Sequence, residues 1–317
     1  MMIPLFHDIT EHRRDFLRLL TGVLAILLLY LSASLGLSAW VNRCLRCYYC
    51  LAPVKVLCIG HSMSEMGIDK TLLEQTLKVP VGKYCINGAG PVERLVMLEH
   101  YLEAVGTPPE CLVYDVSGRI FSSGLAVGSC QLFLPFMKES QVCGKFVKAH
   151  LSPREFLFYQ CNPLSRYEDT RWGAIYRGLK RDWRTHKSGT LDAGGVAARL
   201  KNGNFWRISM QEADLNAFEK TLKLCREKKI RVILLALPCA DLLNRAEPEK
   251  YQEVMDHLKS KCDGRQVLLL DYNPHYSHRY DLLLDPIHLN ARGQRAVTGQ
   301  LSKDLSGIFA DNTENKR

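Results

Sequence analysis

For twenty-three residues, from Leu19 to Val41, this chain carries no charged side chain. The run lies within FLRLLTGVLAILLLYLSASLGLSAWV, residues 16–41. An apolar helix of that length crosses a hydrocarbon core of roughly 30 Å. It exceeds the core of about 7–15 residues found in a cleaved secretion signal, although Ser32-Ala33-Ser34 and Leu37-Ser38-Ala39 offer small-residue cleavage sites. The expectation is therefore an uncleaved single-pass anchor over 16–41, with a cleaved signal as the competing reading. Flanking charge does not orient it, since Arg13, Arg14 and Arg18 precede it and Arg43, Arg46 and Lys55 follow. Residues 1–15 read as a polar tail and 42–53 as a linker closed by Pro53. With 47% hydrophobic residues over 317 positions, the remainder can bury a large core, which excludes a disordered chain.

Beyond the linker, short apolar runs alternate with helical patterns. Strand-like segments are 54–60, 79–86, 111–116, 230–238 and 266–271. Between them, 68–77 reads as a helix capped by Asp69, and 91–105 as an amphipathic helix with Pro91 at its start. Residues 212–228, 248–260 and 290–308 complete the helical set. This alternation predicts an α/β fold, a three-layer parallel sheet of flavodoxin-like type, over 54–309. After Ile120 the periodicity fails until about 210, so 122–210 reads as an irregular insertion after the third strand. Residues 310–317 read as a tail.

In such sheets ligands sit at the carboxyl ends of the strands. Gly60-His61-Ser62 follows the first strand, Asn87-Gly88-Ala89-Gly90 the second, and Ser117-Gly118-Arg119 the third. Pro238, Cys239 and Asp241 follow the fourth, and Asp285-Pro286-Ile287-His288 lies beyond the fifth. A serine, a glycine turn and an Asp three residues before a His are the parts of nucleophilic acyl transfer. Ser62 would attack, His288 would take its proton, and Asp285 would fix the imidazole tautomer. The Ser62 and Gly88 N–H groups would bind the oxyanion. A structural alternative makes Ser62 a helix cap and joins His288 to Asp285 without chemistry.

These blocks resemble those of SGNH/GDSL hydrolases, in particular membrane-anchored bacterial members associated with envelope or exported polysaccharide. The segment IGHSMSEMGID, residues 59–69, is similar to their serine block, and the late D-x-x-H is the most specific element. The resemblance spans about 54–305 without the insertion. It implies Ser62, Asp285 and His288 as catalytic residues, with Ser62, Gly88 and Asn87 around the oxyanion. It also implies an acylated carbohydrate or polysaccharide as substrate, with release to water or to a sugar hydroxyl deciding hydrolysis against transfer. Two positions depart from the pattern. His61 replaces the usual acidic residue and reads as a pocket-edge residue. The asparagine donor after the third strand is absent, with Ser117, Arg119 or Asn87 as substitutes. These departures favour the alternative of an inactive, tethered binding or assembly component.

Between Arg166 and Arg207 ten Lys/Arg stand against four Asp/Glu, interleaved with Trp172, Trp183 and Trp206. With a net charge of +9, nucleic acid, an anionic membrane face and an acidic polymer all enter consideration. An anchor that places the domain outside the cytoplasm, periplasmic or at the cell surface, argues against nucleic acid. Glycan contact through Trp172, Trp183, His61 and Arg119 stands beside a solvated basic lid. Partner membrane proteins are compatible with an anchored chain. The chemistry requires no metal and no organic cofactor. Cys44, Cys47 and Cys50 lack a fourth ligand at a usual spacing, and His275 and His278 lack a third. Most of the twelve cysteines read as buried thiols.

Overall fold

The computed structural model describes residues 4–122, 129–167 and 172–314. Five parallel strands form one sheet: β1 (Val56–Gly60), β2 (Val81–Cys85), β3 (Cys111–Val116), β4 (Arg231–Ala236) and β5 (Val267–Asp271). Their order is β2-β1-β3-β4-β5, the flavodoxin-like arrangement with its switch point between β1 and β3. Register pairs Gly60 with Cys85 and Ile59 with Tyr114, so these strands end at one edge. The strands lie within two residues of their sequence-predicted positions.

Among the described residues, thirteen α-helices accompany the sheet: α1 (Pro4–Tyr48), α2 (Ser62–Gly67), α3 (Lys70–Leu77), α4 (Pro91–Val105), α5 (Gln141–His150), α6 (Pro153–Cys161), α7 (Trp172–Lys180), α8 (Ala193–Lys201), α9 (Glu212–Glu227), α10 (Asp241–Asn244), α11 (Pro248–Ser260), α12 (Asn273–Tyr276) and α13 (Ala291–Glu314). Successive side chains of a strand point to opposite faces. In β1, Leu57 and Ile59 join α4, α9 and α11 in one apolar cluster, whereas Val56 and Cys58 join α3 and α13 in another. Both faces are therefore covered, which is why the strands read as unbroken apolar runs. Asp69 caps α3, its Oδ1 accepting from the Thr71 and Leu72 N–H at 3.0 and 3.2 Å. Glu93 accepts from the Gly90 N–H at 2.8 Å at the start of α4.

The linker expected over 42–53 is not a linker: α1 continues without a break to Tyr48. Its last turns bury Val41, Leu45 and Tyr48 in the domain core. The Tyr167 hydroxyl lies 2.6 Å from Ser38 Oγ and 2.8 Å from Asn42 Oδ1, and the Trp183 Nε1–H donates to the Tyr48 carbonyl at 2.8 Å. The polar composition of 42–48 hid an amphipathic continuation, because only every third or fourth residue turns inward. By length and composition the segment Arg13–Tyr48 meets the requirement of a membrane span, and equally that of a signal sequence.

The region 122–210 also departs from expectation. It holds a 3-10 segment, Ser129–Phe136, and the four short helices α5 to α8. Their partners are α1, α4, α10 and one another, so no single clean apolar stripe marks them. Part of the expected insertion, residues 123–128 and 168–171, lies outside the described residues.

Glu65, on α2, joins three elements. It accepts from the Tyr48 hydroxyl of α1 at 2.8 Å and pairs with Arg177 of α7. Replacing Glu65 by alanine removes the acceptor of the Tyr48 hydroxyl and the countercharge of Arg177, which keeps its bonds to the Asp182 and Arg184 carbonyls. The expected cost is about 1–3 kcal/mol, read as a lowered denaturation midpoint at unchanged m-value. An unchanged midpoint would show that the three elements hold together without it.

Candidate active site

The nucleophile helix begins where β1 ends. An ideal Cβ at Gly60 would fall 2.6 Å from Ser64 Oγ and 2.7 Å from Asp115 Cβ, so only glycine lets the chain turn there. His61 occupies the position just before α2. Ser62 is thus the first helical residue and not the cap. Its backbone N–H is one of those that have no acceptor within the helix. Gly88, after β2, has φ +77°, a left-handed turn conformation that glycine adopts at no steric cost. Asn87 and Gly88 are both exposed.

The loop carrying the other two residues is held from several sides. Leu283 and Leu289 form an antiparallel bridge across it, and the Leu284 N–H donates to the His288 carbonyl at 2.8 Å. Asn290 Nδ2 donates to the Asp281 and Gly189 carbonyls, and its Oδ1 accepts from the Arg292 and Gly293 N–H groups. Asn290 is therefore the cap of α13, as its place in the sequence implies. Within the loop, Asp285 Oδ1 accepts from the N–H groups of Ile287 and His288, each at 2.9 Å.

This loop and the start of α2 meet. His288 Nε2 lies 2.8 Å from Ser62 Oγ, and His288 Nδ1 lies 2.7 Å from Asp285 Oδ2. The carboxylate fixes the proton on Nδ1 and leaves Nε2 free to accept from the serine. Burial alone would raise the Asp285 carboxyl. Its bonds from the His288 side chain and the Ile287 and His288 N–H groups bring it below the ordinary carboxylate value instead. An ionised orienter, a neutral acceptor nitrogen and a hydroxyl in line are the geometry of an activated serine.

A second Asp–His pair begins at the residue before Ser62. His61 is 8% exposed and Asp115 1% exposed, and His61 Nδ1 stands 2.9 Å from Asp115 Oδ2. Burial lowers the His61 imidazole below its ordinary value, more than the neighbouring carboxylate raises it. Burial would raise Asp115, but His61 and the Arg94 guanidinium together hold it at about 2. Asp115 is thus the carboxylate partner of His61 Nδ1, with the Arg94 guanidinium adding a longer-range attraction. Arg94 also donates to the Asp115 and Ala89 carbonyls. Stabilisation from this carboxylate is complete above its ordinary value of 3.8 and disappears as pH falls from there to about 2. At about 1.4 kcal/mol per unit this amounts to roughly 2–3 kcal/mol. Denaturant titrations across that acid range should show the loss, and Asp115→Asn should remove this acid limb.

Sequence spacing gave no sign of the His61–Asp115 pair, whose members are 54 positions apart. His61 is not a pocket-edge residue facing solvent but a buried one. Lys83, in the middle of β2, was also missed. It is 2% exposed, and its Nζ donates to the Glu65 and Ile68 carbonyls at 2.6 Å each, holding the C-terminal end of α2. Burial brings the ammonium below its ordinary value. A single lysine among apolar strand residues was the only available signal.

Other expected contact residues are engaged elsewhere. Arg119 is 3% exposed, and its guanidinium donates to the Trp206 carbonyl at 2.7 Å and the Leu243 carbonyl at 2.8 Å. It ties the start of the insertion to α10 and is not free to face a substrate. Ser117 Oγ accepts from the Arg119 N–H at 3.2 Å. Trp183 is buried under the end of α1, with Lys70 Nζ 4.6 Å from its ring centroid. It is a core residue, because its indole N–H has found a backbone acceptor. Trp172 is exposed on α7. The insertion also supports the site. The Lys187 carbonyl accepts from Ala291, the Gly189 carbonyl from Asn290, and the Leu191 N–H donates to the Tyr280 carbonyl, so residues 187–191 brace the His288 loop.

Comparisons with family models and with curated proteins find no match to this chain. Among solved structures, a carbohydrate esterase family 3 from Talaromyces cellulolyticus is similar at 10% identity and TM-score 0.41, covering 82% of this chain and 99% of that one. The lipase Lip_vut3 from a goat rumen metagenome is similar at 13% identity and TM-score 0.40, covering 81% and 97%. A GDSL-like lipase from Bacteroides thetaiotaomicron is similar at 10% identity and TM-score 0.37, covering 79% and 88%. At these identities and scores they are remote likenesses of chain path.

Proposed function

We propose that this protein is a membrane-anchored serine esterase or O-acyltransferase of SGNH type, acting on ester-linked acyl groups of an envelope or exported polysaccharide. The observation that carries the reading is the continuous relay Ser62–His288–Asp285 at the carboxyl edge of the sheet. The polysaccharide assignment rests on the resemblance of the serine and D-x-x-H blocks. An open rim, with Asn87 and Gly88 exposed and the Asp285 side chain 42% exposed, suits a chain substrate. The apolar helix α1 would hold the domain at the outer face of the membrane.

In the reaction, Ser62 Oγ attacks the acyl carbonyl as its proton passes to His288 Nε2. The carbonyl oxygen becomes an oxyanion, held by the Ser62 N–H and the Gly88 N–H. Collapse breaks the ester bond, and His288 returns the proton to the departing sugar oxygen. Water or a second sugar hydroxyl, deprotonated by the same imidazole, then attacks the acyl-serine and releases it.

A fluorophosphonate probe tests the reading directly. The expected result is one probe adduct per chain, mapped by peptide mass to residues 56–67 and absent after prior acylation. Folded protein that takes up no probe would support the alternative, a tethered component that binds acylated glycan without turning it over.

A further inference from the structure

Outside α1, the large apolar side chains exposed among the described residues lie on two helices only: Leu157 and Phe158 on α6, and Trp172, Tyr176 and Leu179 on α7. The three on α7 are spaced i, i+4, i+7 and share one stripe. Ile175 and Gly178 are buried, and at Gly178 helix α7 packs against α1. A Cβ on Gly178 would stand 2.1 Å from the Cys44 carbonyl oxygen, so the two backbones touch. α6 is joined to the same part of α1 through the turn that follows it. The chain leaves it through the 3-10 turn Pro163–Arg166, and the next residue, Tyr167, bonds to Ser38 and Asn42. The two apolar surfaces thus flank α1 near residues 38–44, where its uncharged run gives way to Arg43 and Arg46.

Charge completes the surface. Arg177, Lys180, Arg181, Arg184 and His186 line a cavity of about 710 Å³ whose acidic member is Asp182. It opens beside Tyr176, with Lys180 Nζ 5.8 Å from the Tyr176 ring centroid. An apolar stripe next to clustered cations, with Trp and Tyr on the same helix, is the chemistry of a helix lying in a bilayer interface. Anionic headgroups attract such cations within a Debye length.

We propose that α6 and α7 lie in the headgroup region of the bilayer that α1 crosses, their exposed apolar side chains at the acyl boundary and the Lys180–Arg181 cavity against anionic phospholipid. This rests on reading α1 as a membrane span. The domain is then seated on the leaflet at a fixed height and not suspended from a flexible stalk, so Ser62 works at a set distance from the surface.

Tryptophan quenching by brominated phospholipids tests the placement on the full-length protein in vesicles of phosphatidylcholine with phosphatidylglycerol. W172F should lower the quenching by lipids brominated close to the headgroup, and L179W should raise it. If either change is missing while W40F still lowers quenching, the interfacial placement fails and the span stands. If W40F also has no effect, α1 is not in the bilayer and both readings fail. With K180E/R181E added, L179W quenching should no longer differ between vesicles with and without phosphatidylglycerol. A difference that persists overturns the headgroup contact.

Discussion

Ser62→Ala should abolish fluorophosphonate capture and lower ester turnover by about 10⁴–10⁶-fold, the range seen when a triad nucleophile is removed. The hydroxyl stands 2.8 Å from His288 Nε2, and among the described residues it is the side-chain group bonded to that nitrogen. His288→Ala should cost a comparable factor. Without the imidazole the serine keeps its proton, and the leaving oxygen must depart as an alkoxide. Asp285→Asn should cost about 10⁴-fold, because an amide facing Nδ1 favours the tautomer that turns an N–H toward Ser62. Acting as one unit, the residues should not add: Ser62→Ala/His288→Ala should be no slower than either single change. Turnover of a chromogenic acetate ester by each variant decides this. Wild-type rates in Ser62→Ala would move the chemistry to another group.

Asp115→Asn should be among the most destabilising isosteric changes in the protein, by about 3–5 kcal/mol. The change keeps the shape and removes a buried carboxylate that the His61 imidazole contacts and the Arg94 guanidinium, 2% exposed, attracts. It also takes from His61 the anion that receives its Nδ1–H. A chain of this size loses about 2–4 °C of melting temperature per kcal/mol, so calorimetry should show a drop of roughly 10 °C. His61→Asn should cost less, about 1–3 kcal/mol, because Asp115 keeps Arg94. A reversed order, with His61→Asn the worse, would mean that the imidazole carries the countercharge.

The alternation of strands and helices was legible because it is local. Cys111–Val116 and Arg231–Ala236 are buried on both faces and so appear as plain apolar runs, and Asp69 and Pro91 mark helix starts by their own backbone chemistry. The end of α1 and the helices of 122–210 were not legible. Their inward residues pack against one another and against α1, so each buries a stripe too narrow to stand out from a polar background. Lys83 was opaque for a related reason. A lysine in a strand is ordinarily a surface residue, and only the turn of α2 brings two carbonyls to its ammonium.

The candidate site divides in the same way. Ser62, Gly88, Asp285 and His288 could be nominated from the primary structure because each follows a strand, and a parallel sheet gathers all its strand ends at one edge. Asp285 and His288 are three residues apart, so their bond is almost a local event. The 2.8 Å contact between Ser62 and His288 spans 226 positions and depends on loop bracing by Asn290 and residues 187–191. The same holds for the buried Asp115–Arg94–His61 group and for the seating of α1 on α7. Long-range polar contacts leave no periodic trace in a chain, since their geometry is set by where the hydrophobic core places the backbone.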